Sequence, residues 1–222
     1  LFENDAISTK GKSILACDGA FSPLYKYMNK NLHTESNEEK LEYSYKELTI
    51  PSGKNNTWQI EKNALHIWPR KSFMLIALPN IDGSFTCTLF FRKNMDKTQP
   101  FSSFEELEKV ENATVFFEKH FSDALSLMFN FEEEFSQNPV SDLFTKTCTT
   151  WNLNDKLLLL GDAAHAIVPF YGQGLNAGLE DVRLLLEEIP NHNELAESFH
   201  AFQQKRKPDT DAIGQLDMQN FI

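Results

Sequence analysis

The sequence predicts a mixed α/β fold, in which an antiparallel sheet and helices accompany a strand–turn–helix unit. Three observations lead to this prediction. The apolar run at residues 157–160 leads directly into an acidic turn, and a helical pattern starts near Gly172. Two further apolar runs, residues 73–78 and 85–91, are separated by a proline and an Asp-Gly turn, as in a β-hairpin with a longer loop. Residues 103–128 are rich in helix formers.

The composition excludes several classes of protein. The 222 residues are 41% hydrophobic and 12% aromatic, which is enough for one large or two small domains. The formal net charge of −11, without a basic stripe between aromatic residues, argues against nucleic acid as a partner. The apolar runs are shorter than the roughly 20 residues of a membrane-spanning helix. The sequence therefore predicts a soluble chain without a membrane segment.

The cysteines Cys17, Cys87 and Cys148 form an odd set without C-x-x-C spacing. That argues against both a disulfide framework and a zinc site, and it favours a reducing compartment such as the cytoplasm. No metal site is predicted. The sequence starts without methionine and stops inside a helical pattern, so we expect it to be part of a longer chain.

Further elements are predicted from periodicity and turn residues. Residues 13–16 indicate a short buried strand, and residues 42–50 indicate another strand. Ser103 and Glu106 fit a capping box at the start of the helical section. The aromatic cluster of that section is expected in the core: Phe116, Phe117 and Phe121.

Helical patterns also follow the acidic turn. One has an apolar stripe typical of a helix that buries one face: Leu175, Leu179, Val182, Leu186 and Ile189. Residues 194–222 indicate two helices that break at Pro208. The basic run Lys205, Arg206 and Lys207 is expected at a helix end, where it complements the helix dipole.

Residues 73–78 are apolar on both faces of their predicted strand. An antiparallel strand with one face in water alternates between apolar and polar residues. Met74, Ile76 and Leu78 must therefore also meet something dry, either a helix layer or a bound ligand.

The turn after residues 157–160 has the properties of a ligand site. Asp162 follows a strand directly, so its carboxylate stands at the carboxyl end of a sheet, where open α/β folds bind ligands. There it would accept hydrogen bonds from a hydroxyl. The helix that begins at residues 172–176 presents unpaired N–H groups, which favour an anionic or electron-rich group. Together these features suit a nucleotide-like cofactor.

Two other interpretations of this stretch are weaker. Gly172, Gly174 and Gly178 have the spacing G-x-G-x-x-x-G, which is one residue off the dinucleotide fingerprint, and they follow a proline loop instead of a strand. Asp162 and His165 have no third residue at a spacing useful for catalysis or metal binding, so a structural role is predicted for His165.

These motifs together carry a resemblance to a known family. The segment G-D-A-A-H-A-x-x-P-x-x-G-Q-G-L-N-A-G-x-E-D, at residues 161–181, resembles the second flavin motif of single-component, FAD-dependent aromatic hydroxylases. The segment C-D-G-A-F-S, at residues 17–22, resembles their D-G motif. One member, whose substrate is an aromatic amino acid, is similar at residues 65–70, 73–80, 82–86, 207–213 and 220–222.

The resemblance covers essentially the whole chain but not the whole family pattern. The sequence lacks the family's amino-terminal strand, its G-x-G-x-x-G turn and the acidic residue for the FAD ribose. It also lacks the arginine and tyrosine that hold the substrate's carboxylate. We therefore expect this chain by itself not to hold FAD tightly.

The resemblance implies FAD as cofactor and NADPH as electron donor. Asp162 would contact the ribityl and pyrophosphate part of FAD, and the backbone of residues 172–176 would lie beside the isoalloxazine ring. Asp18, in the D-G motif, would support the flavin site. The implied cofactor-binding residues are Asp18, Asp162, Pro169, Gly172, Gln173, Gly174, Leu175 and Asn176.

The resemblance also implies that the middle of the chain is a sheet lining an aromatic pocket. The implied substrate-binding residues are Leu65, Met74, Ile76, Leu78 and Phe90, with Pro169, Phe170 and Gln173 closing the pocket from the flavin side. NADPH would reduce FAD, and oxygen would then hydroxylate the ring of a small aromatic amino acid. No side chain is expected to act as nucleophile, acid or base, because positioning and exclusion of water suffice.

By the same resemblance, residues 1–24 and 151–222 would be segments of an FAD-binding domain, and residues 25–150 the substrate-binding sheet and helices. Two alternatives stay open. The chain could belong to another aromatic hydroxylase or a flavin epoxidase of the same architecture. It could also be an inactive fragment that binds an aromatic ligand weakly, which a colourless purified protein would indicate.

Overall fold

A computed structural model of the chain describes residues 10–32, 36–95, 102–170 and 172–221. Its strands are β1 (Ile14–Ala16), β2 (Ser36–Ile50), β3 (His66–Arg70), β4 (Phe73–Pro79), β5 (Phe85–Arg92), β6 (Ser141–Cys148), β7 (Asn152–Leu153) and β8 (Leu157–Leu159). Its α-helices are α1 (Pro23–Leu32), α2 (Val110–His120), α3 (Ser122–Leu125), α4 (Phe131–Gln137), α5 (Asp162–His165), α6 (Gly174–Glu188) and α7 (Leu195–Phe221). None of the helices in these ranges has the length and apolar character that crossing a membrane requires.

The chain divides into two compact units. Unit 1 comprises Leu1–Glu39 and Phe144–Ile222, and unit 2 comprises Lys40–Leu143. The chain passes from one unit to the other inside β2 and again inside β6. The divisions taken from the resemblance lie elsewhere, after residues 24 and 150.

Unit 1 contains a three-stranded sheet in the order β1-β8-β7. β1 runs parallel to β8, with Ala16 opposite Leu159, and β7 is antiparallel to β8. Both predicted strands are confirmed, but the prediction that the first is buried was wrong: Ile14 and Leu15 are 51% and 50% exposed, because β1 lies at the edge of this sheet. Because the carboxyl ends of parallel strands meet at one edge of a sheet, the turns at Asp18 and Gly161 leave from the same edge.

The core of unit 1 surrounds β8, whose three residues are at most 4% exposed. Trp151 is also buried, donates its indole N–H to the Cys148 carbonyl at 3.2 Å and packs 5.1 Å from the His165 ring. Helices α1, α6 and α7 contribute the remaining large side chains: Tyr25, Met28, Leu184, Leu185, Phe199 and Phe202.

The helix α6 buries a different face from the predicted one. Leu175, Leu179, Val182 and Leu186 are 75%, 60%, 44% and 62% exposed. The buried face consists of Ala177, Asp181, Leu184 and Leu185. The predicted stripe was wrong because α6 packs small residues against the turn after β8 and pairs a buried carboxylate with α7. The buried face therefore combines apolar residues with a glycine and a charged side chain, and hydrophobic periodicity does not detect such a face.

The helix α7 is a single helix of 27 residues that continues through Pro208. The predicted break was wrong. Proline lacks the backbone N–H that would bond to the carbonyl four residues earlier. That residue, Gln204, and Pro208 itself are both exposed, so the lost hydrogen bond lies on the solvent-facing side of α7. Arg206 accordingly lies inside a helix and not at the predicted helix end.

Unit 2 contains most of a five-stranded sheet in the order β3-β4-β5-β2-β6. The predicted hairpin is confirmed, because β4 and β5 are antiparallel, with Met74 opposite Phe90. Side chains of α2, α3 and α4 pack on one face of the sheet. The predicted aromatic core is confirmed as well, since Phe116, Phe117 and Phe121 are at most 2% exposed.

The predicted capping box was wrong: residues 105–107 form a short 3₁₀ turn whose N-cap is Phe104, and no side-chain capping bond is made there within the described residues. The Glu106 carboxylate accepts the Ser102 N–H at 2.7 Å and the Ser103 hydroxyl at 3.4 Å. The first α-helix of the predicted helical section, α2, begins only after this turn.

Replacing Phe117 with alanine tests the aromatic core. Its ring is fully buried and lies 4.6 Å from the Phe131 ring and 5.3 Å from the Phe121 ring, centroid to centroid. Because a cavity adds to the lost transfer free energy, we expect Phe117→Ala to lower the free energy of unfolding by about 3–5 kcal/mol in urea denaturation. Phe129→Ala is the control, since that ring is 74% exposed and its loss should change stability by less than about 0.5 kcal/mol. Equal effects would contradict this core.

Two glycines that meet where α6 packs against the turn after β8 give a second test. Gly161 has φ of +56° and ψ of −141°, a conformation that strains L side chains. A Cβ on Gly178 would lie 3.8 Å from the Gly161 Cα, an ordinary contact. We expect Gly161→Ala to destabilise by about 1–3 kcal/mol. Gly178→Ala, inside a helix, should be neutral or stabilise by up to about 1 kcal/mol. Chemical denaturation measures both, and the reverse ranking would contradict this backbone.

Candidate functional site

The candidate site is built around the turn that follows β8. Gly161 turns the chain sharply, and α5 starts at Asp162, whose side chain is exposed. Behind it, Ala163 and Ala164 are fully buried. The Asp162 Oδ1 atom lies 3.9 Å from the position that a Cβ on Gly174 would take. The carboxylate therefore stands beside the first residue of α6.

The start of α6 is open. Within the described ranges no side chain caps it, and its first turn contains no acidic residue. Gly172 has φ of +64°, and apart from its chain neighbours no described residue places a heavy atom within 4 Å of where its Cβ would be. Nearby, the Asn176 amide donates to the Gln173 amide oxygen at 3.0 Å. The leading N–H groups of a helix carry partial positive charge, so this end attracts an anionic or electron-rich group.

Most of the predicted cofactor-binding residues lie in this segment. The Gly172 N–H bonds to the Pro169 carbonyl at 3.2 Å, which closes the turn before α6. The side chains of Pro169, Leu175 and Asn176 are exposed. Asp18 follows β1, the strand beside β8, and is exposed too. The role of these residues as flavin ligands stays a prediction.

A buried charged network lies behind the turn. Asp181 of α6 is 0% exposed, and its Oδ2 atom accepts the Gly161 N–H at 2.8 Å and lies 2.6 Å from His165 Nε2. Its Oδ1 atom accepts a hydrogen bond from Arg206 Nε of α7 at 2.7 Å. Burial alone would raise the pKa of Asp181, but its hydrogen bonds with His165, Arg206 and the Gly161 N–H hold that pKa below its usual value. Asp181 is therefore an ionised, fully buried carboxylate.

Sequence reasoning missed the pair of Asp181 and Arg206. In the sequence, Asp181 is only the last residue of a motif, and Arg206 belongs to a basic run. A detectable signal is the set of small residues Gly174, Ala177 and Gly178, which shares a helix face with Asp181 and indicates close packing there. His165 is buried, as its predicted structural role requires.

The D-G turn shows no sign of nucleophilic chemistry. Burial raises the pKa of the Cys17 thiol, and the negative charges of Asp18 and Asp181 raise it further. A thiol of this kind is protonated at neutral pH and is a poor nucleophile. Among the residues that the structure describes, no group of three His, Cys, Asp or Glu side chains is placed to hold a metal ion.

The two-faced strand β4 has a helix layer on one side. Leu75 and Ala77 are fully buried in the core that the helices of unit 2 cover. Side chains alternate along a strand, so Met74, Ile76 and Leu78 lie on the opposite face. The helix layer therefore accounts for only one of the two apolar faces.

The opposite face changes from buried to open along the sheet. Phe90, which is opposite Met74 in the neighbouring strand, is 1% exposed, and Ile76 is 7% exposed. Leu78 and Leu65 are 46% and 50% exposed. A partly covered apolar surface of this kind suits a flat aromatic group.

The other predicted substrate residues, Pro169, Phe170 and Gln173, belong to unit 1. They share a segment with the predicted flavin ligands. The predicted substrate residues of the sheet all belong to unit 2. The structure thus divides this predicted set between the two units.

The residues at the α6 start fit the cofactor that the resemblance implies. A flavin offers ribityl hydroxyls, which can donate to a carboxylate such as Asp162, and an electron-rich ring edge, which N–H groups at a helix start stabilise. Gly172 leaves the backbone uncovered, so a ring can approach it closely.

Comparison with known proteins gives a family match and close relatives. The family described as FAD binding domain matches residues 9–193. Kynurenine 3-monooxygenase of Dictyostelium discoideum is 44% identical over 226 residues, covering 96% of this chain and 48% of its own length. The protein of that name from Cytophaga hutchinsonii is 45% identical over 222 residues, covering 98% and 48%. The chain spans about half the length of the curated relatives it matches.

Solved structures share the fold. The 2-methyl-3-hydroxypyridine-5-carboxylic acid oxygenase matches with a TM-score of 0.73 at 16% identity, over 94% of this chain and 53% of that chain. Klebsiella pneumoniae HpxO, complexed with FAD and uric acid, matches with a TM-score of 0.73 at 13% identity, over 98% of this chain and 53% of that chain. These likenesses confirm the predicted fold class, and the relatives confirm the predicted resemblance to FAD-dependent aromatic hydroxylases. Since the family match spans well over half of its residues, the chain belongs to the FAD binding domain family.

Proposed function

We propose that this chain is part of an FAD-dependent kynurenine 3-monooxygenase, which hydroxylates L-kynurenine to 3-hydroxykynurenine with NADPH and oxygen. The observation that carries the proposal is the exposed Asp162 carboxylate beside the start of α6, which no described side chain caps. The names of the relatives at 44% and 45% identity support the choice of substrate.

Asp162 and the start of α6 bind different parts of the cofactor. The carboxylate would accept hydrogen bonds from ribityl hydroxyls. The N–H groups of residues 174–176 would stabilise negative charge at the N1–C2 carbonyl edge of the reduced ring, whereas the Gly172 N–H already bonds to the Pro169 carbonyl. Buried Asp181 does not oppose that charge, because Arg206 neutralises it at 2.7 Å. Asp18 supports the site from the same edge of the sheet.

The apolar face of unit 2 gives an aromatic ring a dry surface. Met74, Ile76 and Phe90 exclude water there, with Ile76 and Phe90 already buried. Bound FAD would supply the redox chemistry, with NADPH as the electron donor and oxygen as the oxidant, and these residues would orient the substrate so that the ring carbon ortho to its amino group is hydroxylated. The side chains supply positioning and exclusion of water, and none is required as a nucleophile.

A reducing compartment such as the cytoplasm also belongs to this proposal. The three cysteines carry free thiols. Burial raises the pKa of Cys87 and that of Cys148 to about 12, so both thiols are protonated and inert at neutral pH. Unpaired thiols are usual where the environment keeps cysteine reduced.

The activity is tested on the full-length protein that contains this chain. We expect a yellow protein that consumes NADPH faster with L-kynurenine and releases 3-hydroxykynurenine, detected by mass spectrometry. 4-Hydroxybenzoate, an aromatic acid without an amino-acid side chain, is the control compound and should not be hydroxylated. Hydroxylation of the control but not of kynurenine would assign the chain to a different aromatic hydroxylase. A colourless full-length protein that acts on neither compound would reject the proposed activity and leave only ligand binding.

Replacing Asp162 tests the cofactor site in the same protein. Losing charge-assisted hydrogen bonds of about 1.5–3 kcal/mol should weaken FAD binding by about 10- to 100-fold in Asp162→Ala. Stability should change little because the side chain is exposed. Flavin fluorescence titration measures the affinity, and urea denaturation measures the stability. Asp155→Ala is the control, since that carboxylate pairs with Lys156 at 3.0 Å near the start of β8. Unchanged FAD affinity in Asp162→Ala would reject its role.

A further inference from the structure

One carboxylate holds both ends of the one-turn helix that carries Asp162. The Gly161 N–H, directly before Asp162, donates to Asp181 Oδ2 at 2.8 Å. The ring of His165, the last residue of α5, reaches the same oxygen at 2.6 Å. Asp181 therefore clamps the short segment from residue 161 to residue 165 at its two ends.

The other oxygen of Asp181 is tied to α7. Arg206 Nε donates to Oδ1 at 2.7 Å, and Arg206 Nη2 donates to the Ala177 carbonyl at 3.2 Å, one turn earlier in α6. Arg206 is 3% exposed and Asp181 is 0% exposed. The guanidinium thus fixes the carboxylate relative to its own helix and supplies the charge that burial requires.

Apolar packing already holds these helices together, so the ion pair is not needed for that purpose. Leu184 and Leu185 of α6 and Phe199 and Phe202 of α7 share one buried cluster with β8. Burying an ion pair costs desolvation energy that often equals its electrostatic gain, so such a pair is weak evidence of a stabilising role. The position of the ion pair directly behind Asp162 points to a different role.

We infer that Asp181 is a positioning residue for cofactor binding: by holding Gly161 and His165, it keeps the Asp162 carboxylate beside the start of α6. The inference rests on the proposed function, because the group that is positioned is the proposed ligand of FAD. Arg206 acts one step further back, by holding Asp181. Neither Asp181 nor Arg206 is assigned a contact with the cofactor.

A double-mutant cycle on the full-length protein tests this role. Asp181→Asn keeps the size of the side chain but replaces one acceptor oxygen with an N–H₂ donor. At least one of the groups that now contact the carboxylate, Gly161 N–H, His165 and Arg206, then faces a donor instead of an acceptor. We expect it to raise the dissociation constant of FAD about tenfold, measured by flavin fluorescence. In the double variant Asp162→Ala/Asp181→Asn, the affinity should equal that of Asp162→Ala alone, because the positioned group is already gone. At saturating FAD, the visible spectrum of Asp181→Asn should shift in the same direction as that of Asp162→Ala.

Asp217→Asn is the matched control. Like Asp181, Asp217 is a fully buried carboxylate, but it belongs to α7. Within the described residues neither of its oxygens has a hydrogen-bond partner. Burial raises the pKa of Asp217 to about 6. Removing it changes a buried acid of the same unit without touching the turn, so FAD affinity should stay within twofold of the parent.

The outcomes separate the inference from the function on which it rests. A full-length parent protein that binds no FAD would overturn both. Losses that multiply in the double variant, an FAD affinity within twofold of the parent in Asp181→Asn, or an equal loss in Asp217→Asn would overturn the positioning role alone. If Asp181→Asn does not fold, His165→Gln replaces it in the cycle and is judged by the same comparison with Asp162→Ala.

Discussion

The candidate site depends on the parallel pairing of two three-residue strands, β1 and β8. This pairing sends the D-G turn and the Gly161 turn out of one edge of the sheet. β8 is buried in the core of unit 1, so its end cannot shift without disturbing close-packed side chains. The apolar cluster directly behind the exposed turn therefore fixes the position of the turn.

Two aspartates of this region have opposite surroundings and therefore opposite uses. Asp181 is fully buried, and its acceptor capacity is taken by a backbone N–H, a histidine ring and a guanidinium. Asp162 is exposed, which leaves its oxygens available to a ligand. A buried charge must be paired to be tolerated, whereas an exposed carboxylate keeps its hydration until a better donor replaces the water. Asp181 thus fixes the structure of the site, whereas Asp162 is placed to bind a ligand.

The parts that the sequence predicted depend on neighbouring residues, and the parts that it missed depend on distant ones. The β8 turn and the β4–β5 hairpin follow from local apolar runs and their turn residues, and so does the placement of Asp162 at a strand end. The buried face of α6 was missed because it is selected by Gly161 and by Arg206, which come from other elements. The continuity of α7 was missed because it depends on which side of the helix Pro208 occupies, and the packing of α7 decides that.

The crossing points of the chain between its units have a further consequence. The chain passes into unit 2 within β2 and out of it within β6, and these strands are neighbours in the sheet. Lys40 and Asp142, close to the two crossing points, form an ion pair of 2.6 Å. The two ends of unit 2 therefore lie side by side, about one strand spacing of ~4.8 Å apart. A graft of residues 40–143 between relatives would therefore need only two junctions, which lie in adjacent strands. Such a graft would replace the apolar face of unit 2 and leave the sequence of the turn that carries Asp162 unchanged.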